Sequence, residues 1–108
     1  MADYVIVESR DPFEHQGVRA TYDLAGHLVR DGSRVALFLV QNGVLPARRT
    51  AASSALADLA GRGVEVLADA FSLRERGIAT DRLVGGVVPA EIDQVVDHLA
   101  AGRTVLYR

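Results

Sequence analysis

The sequence predicts an open, layered α/β fold built on five parallel strands joined by right-handed helical crossovers. Three observations point to it. Val35 to Val40 is an uninterrupted apolar run, the pattern of a strand buried on both faces. Four more short apolar, β-branched stretches alternate with segments of helical periodicity. Gly, Pro and Asp punctuate the junctions between them. A flavodoxin-like order of the same elements is the alternative, because the pattern contains no strand order.

Tyr4-Val5-Ile6-Val7 reads as the first strand. Asp11-Pro12-Phe13-Glu14 reads as a helix start, with Asp11 as N-cap, Pro12 at N1 and Glu14 completing a capping box. Val18, Tyr22, Ala25 and Leu28 or Val29 then recur every three to four residues and form one helical face, which Gly32 closes. Val35 to Val40 is the central strand. At about 1.5–3 kcal/mol per buried large apolar side chain, its large members contribute roughly 8–15 kcal/mol gross, as much as the net stability of a domain. Asn42 to Pro46 is a loop. Ser54 is placed to cap a helix over Ala55 to Ala60 that stops at Gly61-Arg62-Gly63, and the small residues from Ala51 to Ala55 permit close approach of another backbone.

Val64 to Leu67 is the third strand. Ser72-Leu73-Arg74-Glu75 forms a second capping-box pattern, with Gly77 ending a short helix. Leu83 to Val88, interrupted by Gly85-Gly86, is the fourth strand, and Pro89 then opens a helix with Ile92, Val95, Val96 and Leu99 on one face, ending at Gly102. Thr104 to Tyr107 is the fifth strand.

Composition narrows the function. With 108 residues, 49% hydrophobic and 24% charged, the expectation is one domain, residues 1–108. No apolar run approaches the roughly 20 residues of a membrane span, and no basic segment precedes the first apolar run, so a cytoplasmic protein without membrane contact is expected. A net charge of −2 and few aromatics argue against nucleic-acid binding, although all twelve basic residues are Arg. The absence of cysteine removes disulfides, thiolate metal ligands and thiol nucleophiles together.

In open parallel sheets ligands bind beyond the carboxyl ends of the strands. The candidate loops are therefore Glu8 to His15, Gln41 to Leu45, Ala68 to Ser72 and the Val88-Pro89 junction. Asp69, Ser72, Arg74 and Arg76 cluster beside a helix N-terminus whose free N–H groups suit a small anionic ligand, and Asn42 and Gly43 complete that candidate cleft. The structural reading of the same residues is that Ser72 and Glu75 cap the helix while the arginines are solvated. Arg48 and Arg49 either extend an anion site or form a solvated pair. His15 near Glu8 or Asp11 is an acid–base candidate, with Asp69 as a further carboxylate. His27 and His98 stand on helices without metal-ligand spacing, so neither metal nor cofactor is expected. Without Lys there is no phosphate loop of the usual kind, and Gly61-Arg62-Gly63 joins a helix to a strand, the wrong way round for a dinucleotide fingerprint.

Three stretches together resemble the DsrE/DsrF-like family of small sulfur-relay proteins, which includes the TusD type. They are Val35-Ala36-Leu37-Phe38-Leu39-Val40-Gln41-Asn42-Gly43-Val44, then Gly63 to Asp69 with Leu73-Arg74-Glu75-Arg76-Gly77-Ile78, and the closing helix and strand. The resemblance implies a three-layer α/β/α fold with a five-stranded parallel sheet, and assembly into homo- or hetero-oligomers such as trimers or hexamers. In sulfur-transferring members a Cys after the third strand carries a persulfide; here that place falls at about Ala68 or Asp69. A carboxylate cannot carry sulfane sulfur. The expectation is therefore a non-catalytic oligomeric subunit, or a binder of a small anion, linked to sulfur metabolism. Its partner would be a second copy, another DsrE-family member or another sulfur-pathway protein. The alternative is a small enzyme using acid–base chemistry at Glu8, His15 and Asp69.

Overall fold

Strands β1 (Tyr4–Glu8), β2 (Val35–Leu39), β3 (Glu65–Asp69), β4 (Val87–Ala90) and β5 (Thr104–Tyr107) form one sheet in the order β4-β3-β2-β1-β5, with every neighbouring pair parallel. The computed structural model describes residues 3–50 and 54–108. Helices α1 (Gly17–Arg30), α2 (Ser54–Gly61), α3 (Ala70–Glu75) and α4 (Asp93–Ala100) alternate with the strands. The order is not flavodoxin-like, in which the first strand lies between the second and third. Here β1 lies between β2 and β5.

That order dictates the layers. The chain steps from β1 to β4 in one direction, so crossovers of one hand place α1, α2 and α3 on the same face; the return from β4 to β5 places α4 on the other. The core divides accordingly. Ile6, Leu37, Val66 and Val87 stand side by side across the strands and pack with Val18, Tyr22, Leu56, Leu59 and Leu73. On the opposite face Val7, Phe38 and Leu67 form the matching row, which Val95 covers. β2 is buried along its whole length, as its sequence predicts.

Several boundaries differ from the sequence expectation. α1 begins at Gly17, not after Asp11. The Asp11 carboxylate accepts the Phe13 N–H at 3.0 Å, and its carbonyl accepts those of Glu14 and His15, so the side chain closes a separate turn in place of a capping box. Gly32 does end α1: at φ 95° it lets Gly32 N–H reach Val29 O and Ser33 N–H reach Leu28 O, both at 3.0 Å. The expected loop at Asn42 to Pro46 is a 3₁₀ helix, Gln41–Ala47. β3 starts one residue late and runs on to Asp69. Leu83 is not in β4; it bridges antiparallel to Arg48, while Pro89 sits inside β4 and α4 begins only at Asp93. Pro is tolerated there because β4 is an edge strand, where alternate N–H groups have no partner to lose. Of the apolar face expected on α4, Val95 is buried while Ile92 and Val96 are half-exposed. Ala51 to Ser53, the front of the small-residue stretch, lie outside the described residues, as does the side chain of Ser54.

The carboxyl ends of β1 and β2 are tied closely. Val40 N–H donates to Glu8 O at 3.0 Å and Gly43 N–H to Val40 O at 2.8 Å. A Cβ at Gly43 would collide with the Glu8 carbonyl oxygen, so glycine permits the 3₁₀ helix to lie against the end of β1. Gly43→Ala is expected to cost about 1–3 kcal/mol, seen as a lower urea midpoint at unchanged slope.

Candidate functional site

The residues after β3 form a closed hydrogen-bond network. Asp69, not Ser72, caps α3: one carboxylate oxygen accepts the Ser72 N–H at 3.0 Å and the Ser72 hydroxyl at 2.6 Å. Asp and Ser stand three residues apart, both competent to cap, and the strand continues far enough to give Asp69 the position. Ser72 Oγ in turn accepts the Gln41 N–H at 2.8 Å. Gln41 has φ 51°, the left-handed region that a non-glycine residue enters at a cost of about 1–3 kcal/mol, and this bond helps hold it there.

The Arg76 guanidinium donates to Asn42 Oδ1 from Nε at 3.1 Å and Nη2 at 3.0 Å, and to Ser72 O at 3.3 Å. The structure thus brings together Asn42, Asp69, Ser72 and Arg76. Gly43 packs against Glu8, and the Arg74 side chain is exposed without a hydrogen bond or ion pair among the described residues. The α3 N–H group best placed for an outside anion already serves Asp69.

Glu8 is fully buried and belongs to a second cluster. Its carboxylate accepts Arg10 N at 2.9 Å, Nε at 3.0 Å and Nη2 at 3.1 Å. Burial pushes its pKa upward, but the hydrogen bonds from the Arg10 side chain and backbone outweigh that, with Thr21 and the Arg10 charge adding, and hold the group below its ordinary value. The His15 side chain is exposed and makes no hydrogen bond to Glu8 or Asp11. The structure therefore joins Glu8 to Arg10, Asp69 to Ser72 and neither to His15. Among the described residues no three His, Asp or Glu side chains gather as metal ligands.

Between these loops lies a cleft of about 250 Å³. Pro12 and Phe13 follow β1, Arg19 and Tyr22 come from α1, Pro46 from the 3₁₀ helix and Leu56 from α2. Arg48 stands at the same rim and donates Nε to Leu45 O at 3.2 Å. The Tyr22 side chain is only 8% exposed, and its hydroxyl has no hydrogen-bond partner among the described residues. Burial, with the charges of Glu8 and Asp11, pushes the phenol well above its ordinary pKa, so it remains a neutral O–H donor. The strand-end rule points to these loops, but periodicity assigns Tyr22 only to the apolar face of α1. A lone phenol on an aliphatic stripe is the signal in the sequence, and its unpaired state is visible only in three dimensions.

The α4 side of the sheet carries a second feature. Val88, Leu67, Phe38, Val7 and Tyr107 form one row across all five strands, buried in the middle and open at both ends. Val88 is 54% and Tyr107 69% exposed, and on the same layer Ile92, just before α4, and Val96 within it are also more than half exposed.

Two predictions follow from these buried groups. The unfolded chain takes up a proton at Glu8 before the folded one does, so its stabilisation is complete above the ordinary value of 4.5 and is lost as the pH falls below it. Glu8→Gln should lower stability at pH 7 by about 1–3 kcal/mol and flatten the fall in stability as the pH drops below 4.5. Tyr22→Phe removes a desolvated, unpaired hydroxyl and should stabilise the free protein by about 1 kcal/mol, raising its melting midpoint by a few degrees.

Comparison with known proteins gives the fold the same neighbours. The protein of unknown function MTH1491 from Methanobacterium thermoautotrophicum matches with a TM-score of 0.82 at 24% identity, over 97% of this chain and 98% of its own. The ychN protein from E. coli matches with a TM-score of 0.87 at 22% identity over 100% of both chains. BT1422 from Bacteroides thetaiotaomicron, also of unknown function, matches with a TM-score of 0.78 at 16% identity, over 98% of this chain and 95% of its own. A sequence comparison with curated proteins gives no match. The sequence profile of the DsrE/DsrF-like family matches residues 2–107, and the chain belongs to that family.

Proposed function

We propose that this DsrE/DsrF-like chain is a noncovalent, self-associating subunit, linked to sulfur metabolism through its family and working by contact where thiol-bearing relatives work by carrying sulfur. The observation that carries the reading is the open apolar surface of Val88, Ile92, Val96 and Tyr107 on the α4 layer. Its chemical background is a sequence without cysteine, in which the carboxyl end of β3 holds Asp69 engaged as a helix cap. Persulfide carriage requires a thiolate.

A magnitude favours a closed ring over a simple pair. Covering these half-exposed side chains contributes roughly 3–6 kcal/mol gross, too little alone against the roughly 4–15 kcal/mol of lost rotational and translational freedom. Val88 and Tyr107 lie on opposite edges of the sheet, so a head-to-tail contact uses both ends of every subunit and closes into a ring such as a trimer. The second copy is the occupant that the reading commits to.

Light scattering at high micromolar concentration tests it. The expected result is an assembly larger than a dimer, with Val96→Asp weakening association at least tenfold while circular dichroism stays native. A wild-type monomer overturns the reading, and so does a variant that assembles normally.

A further inference from the structure

We propose that Asn42 is a site of spontaneous covalent modification, the loss of its side-chain amide through a cyclic imide with Gly43, and that the Arg76 guanidinium at the end of α3 sets the rate. The reaction belongs to the loop after β2 and involves no residue of the α4 surface, so it stands independently of self-association.

The pair is the chemically weak point of the sequence. Asn42 is the only asparagine in the chain, and the glycine after it has no side chain to hinder attack of its own nitrogen on the preceding amide. In that attack the Gly43 nitrogen bonds to the side-chain carbonyl carbon of Asn42 and the bond from that carbon to the NH₂ group breaks. The proton lost from Gly43 passes through solvent to the departing group, which leaves as ammonia. Water then opens the imide at either carbonyl. Opening on one side yields an ordinary aspartate; on the other it yields isoaspartate, in which the main chain runs through the side-chain methylene and is one atom longer. Nothing is oxidised or reduced, and water is the sole co-reactant.

The fold holds both reacting groups away from this geometry. Gly43 lies in the 3₁₀ helix with its N–H donating to Val40 O at 2.8 Å, and the imide ring closes only when Asn42 leaves the helical ψ of about −20 to −30°. The Asn42 side chain is gripped by two Arg76 donors, Nε at 3.1 Å and Nη2 at 3.0 Å, and Arg76 is itself fixed through Nη1 to Ser72 O. Those donors also polarise the carbonyl that is to be attacked. Restraint outweighs activation, because a polarised carbonyl gains nothing while its nucleophile is bonded elsewhere and out of reach. The reaction therefore proceeds from a locally opened state in which the Arg76 bonds are broken. Its two products act in opposite senses. Aspartate at 42 offers Arg76 a charged acceptor and tightens the contact. Isoaspartate displaces Gly43 from its close fit against the Glu8 carbonyl oxygen, where not even a Cβ has room.

The test incubates the full chain in mildly alkaline buffer, folded and in urea. Peptide mapping with mass spectrometry reads the gain in mass as NH₂ gives way to OH and separates aspartate from isoaspartate. The expected result is modification at Asn42 that is at least about tenfold slower in the folded chain than in urea. Arg76→Ala should raise the folded-state rate by about tenfold, speed hydrogen exchange at the Gly43 amide and leave the rate in urea unchanged. Arg74→Ala, which alters an exposed arginine of the same helix, should leave both rates at the wild-type value. Where Arg76→Ala does not fold, Arg76→Lys, which keeps the charge without the planar fork, should give a rate between the folded and unfolded wild type. Equal rates in the folded and unfolded wild type overturn the proposal. So does a folded Arg76 variant that reacts no faster than wild type, or a native chain modified first at another side-chain amide.

Discussion

The closure of the β1 and β2 ends around Glu8 is the constraint on which the upper rim of the sheet depends. Its carbonyl oxygen receives the Val40 N–H and lies where no side chain fits at Gly43; its carboxylate, out of reach of water, is matched by three donors from Arg10. A buried carboxylate without such partners would reject its charge, and the loop after β1 would lose its anchor. With the pairing in place, the Pro12-Phe13 turn and the 3₁₀ helix are held on either side of a gap and do not collapse into it. Burial, and after it the charges of Glu8 and Asp11, keep the nearby phenol protonated. One residue thus fixes the backbone at the ends of β1 and β2 and adds to the field that keeps Tyr22 neutral.

A second constraint is topological. Three crossovers on one face and one on the other give the sheet a thick layer and a thin layer. A helix with its side chains is about 10–12 Å across, whereas five strands spread over nearly 20 Å. A single helix therefore shields the middle of its face and leaves both margins uncovered. The apolar residues at those margins follow from strand order, and no change in α4 alone would hide them.

Much of the fold was legible in the sequence because it rests on local signals. The run from Val35 to Val40 has no polar position at which a strand face could meet water, and Gly32, without a Cβ, adopts φ 95° at no steric cost. Errors arose where two local signals competed. Asp69 and Ser72 both cap helices, Asp11 closes a turn as readily as it starts a helix, and Pro89 suits an edge strand as well as a first helical turn. The site was harder to read. Asn42, Asp69, Ser72 and Arg76 do converge, but on one another, and the cleft draws residues from four separated segments whose meeting depends on a strand order that periodicity does not carry.

Pro89 also bears on how such sheets meet their surroundings. An outer strand normally offers a ladder of unused amide groups to any extended chain that drifts alongside, the opening step of runaway cross-chain pairing. A ring nitrogen in the middle of a four-residue β4 breaks that ladder, leaving no unbroken template on that flank. Copies of this chain that approach one another there are directed toward side-chain packing and away from fibril growth.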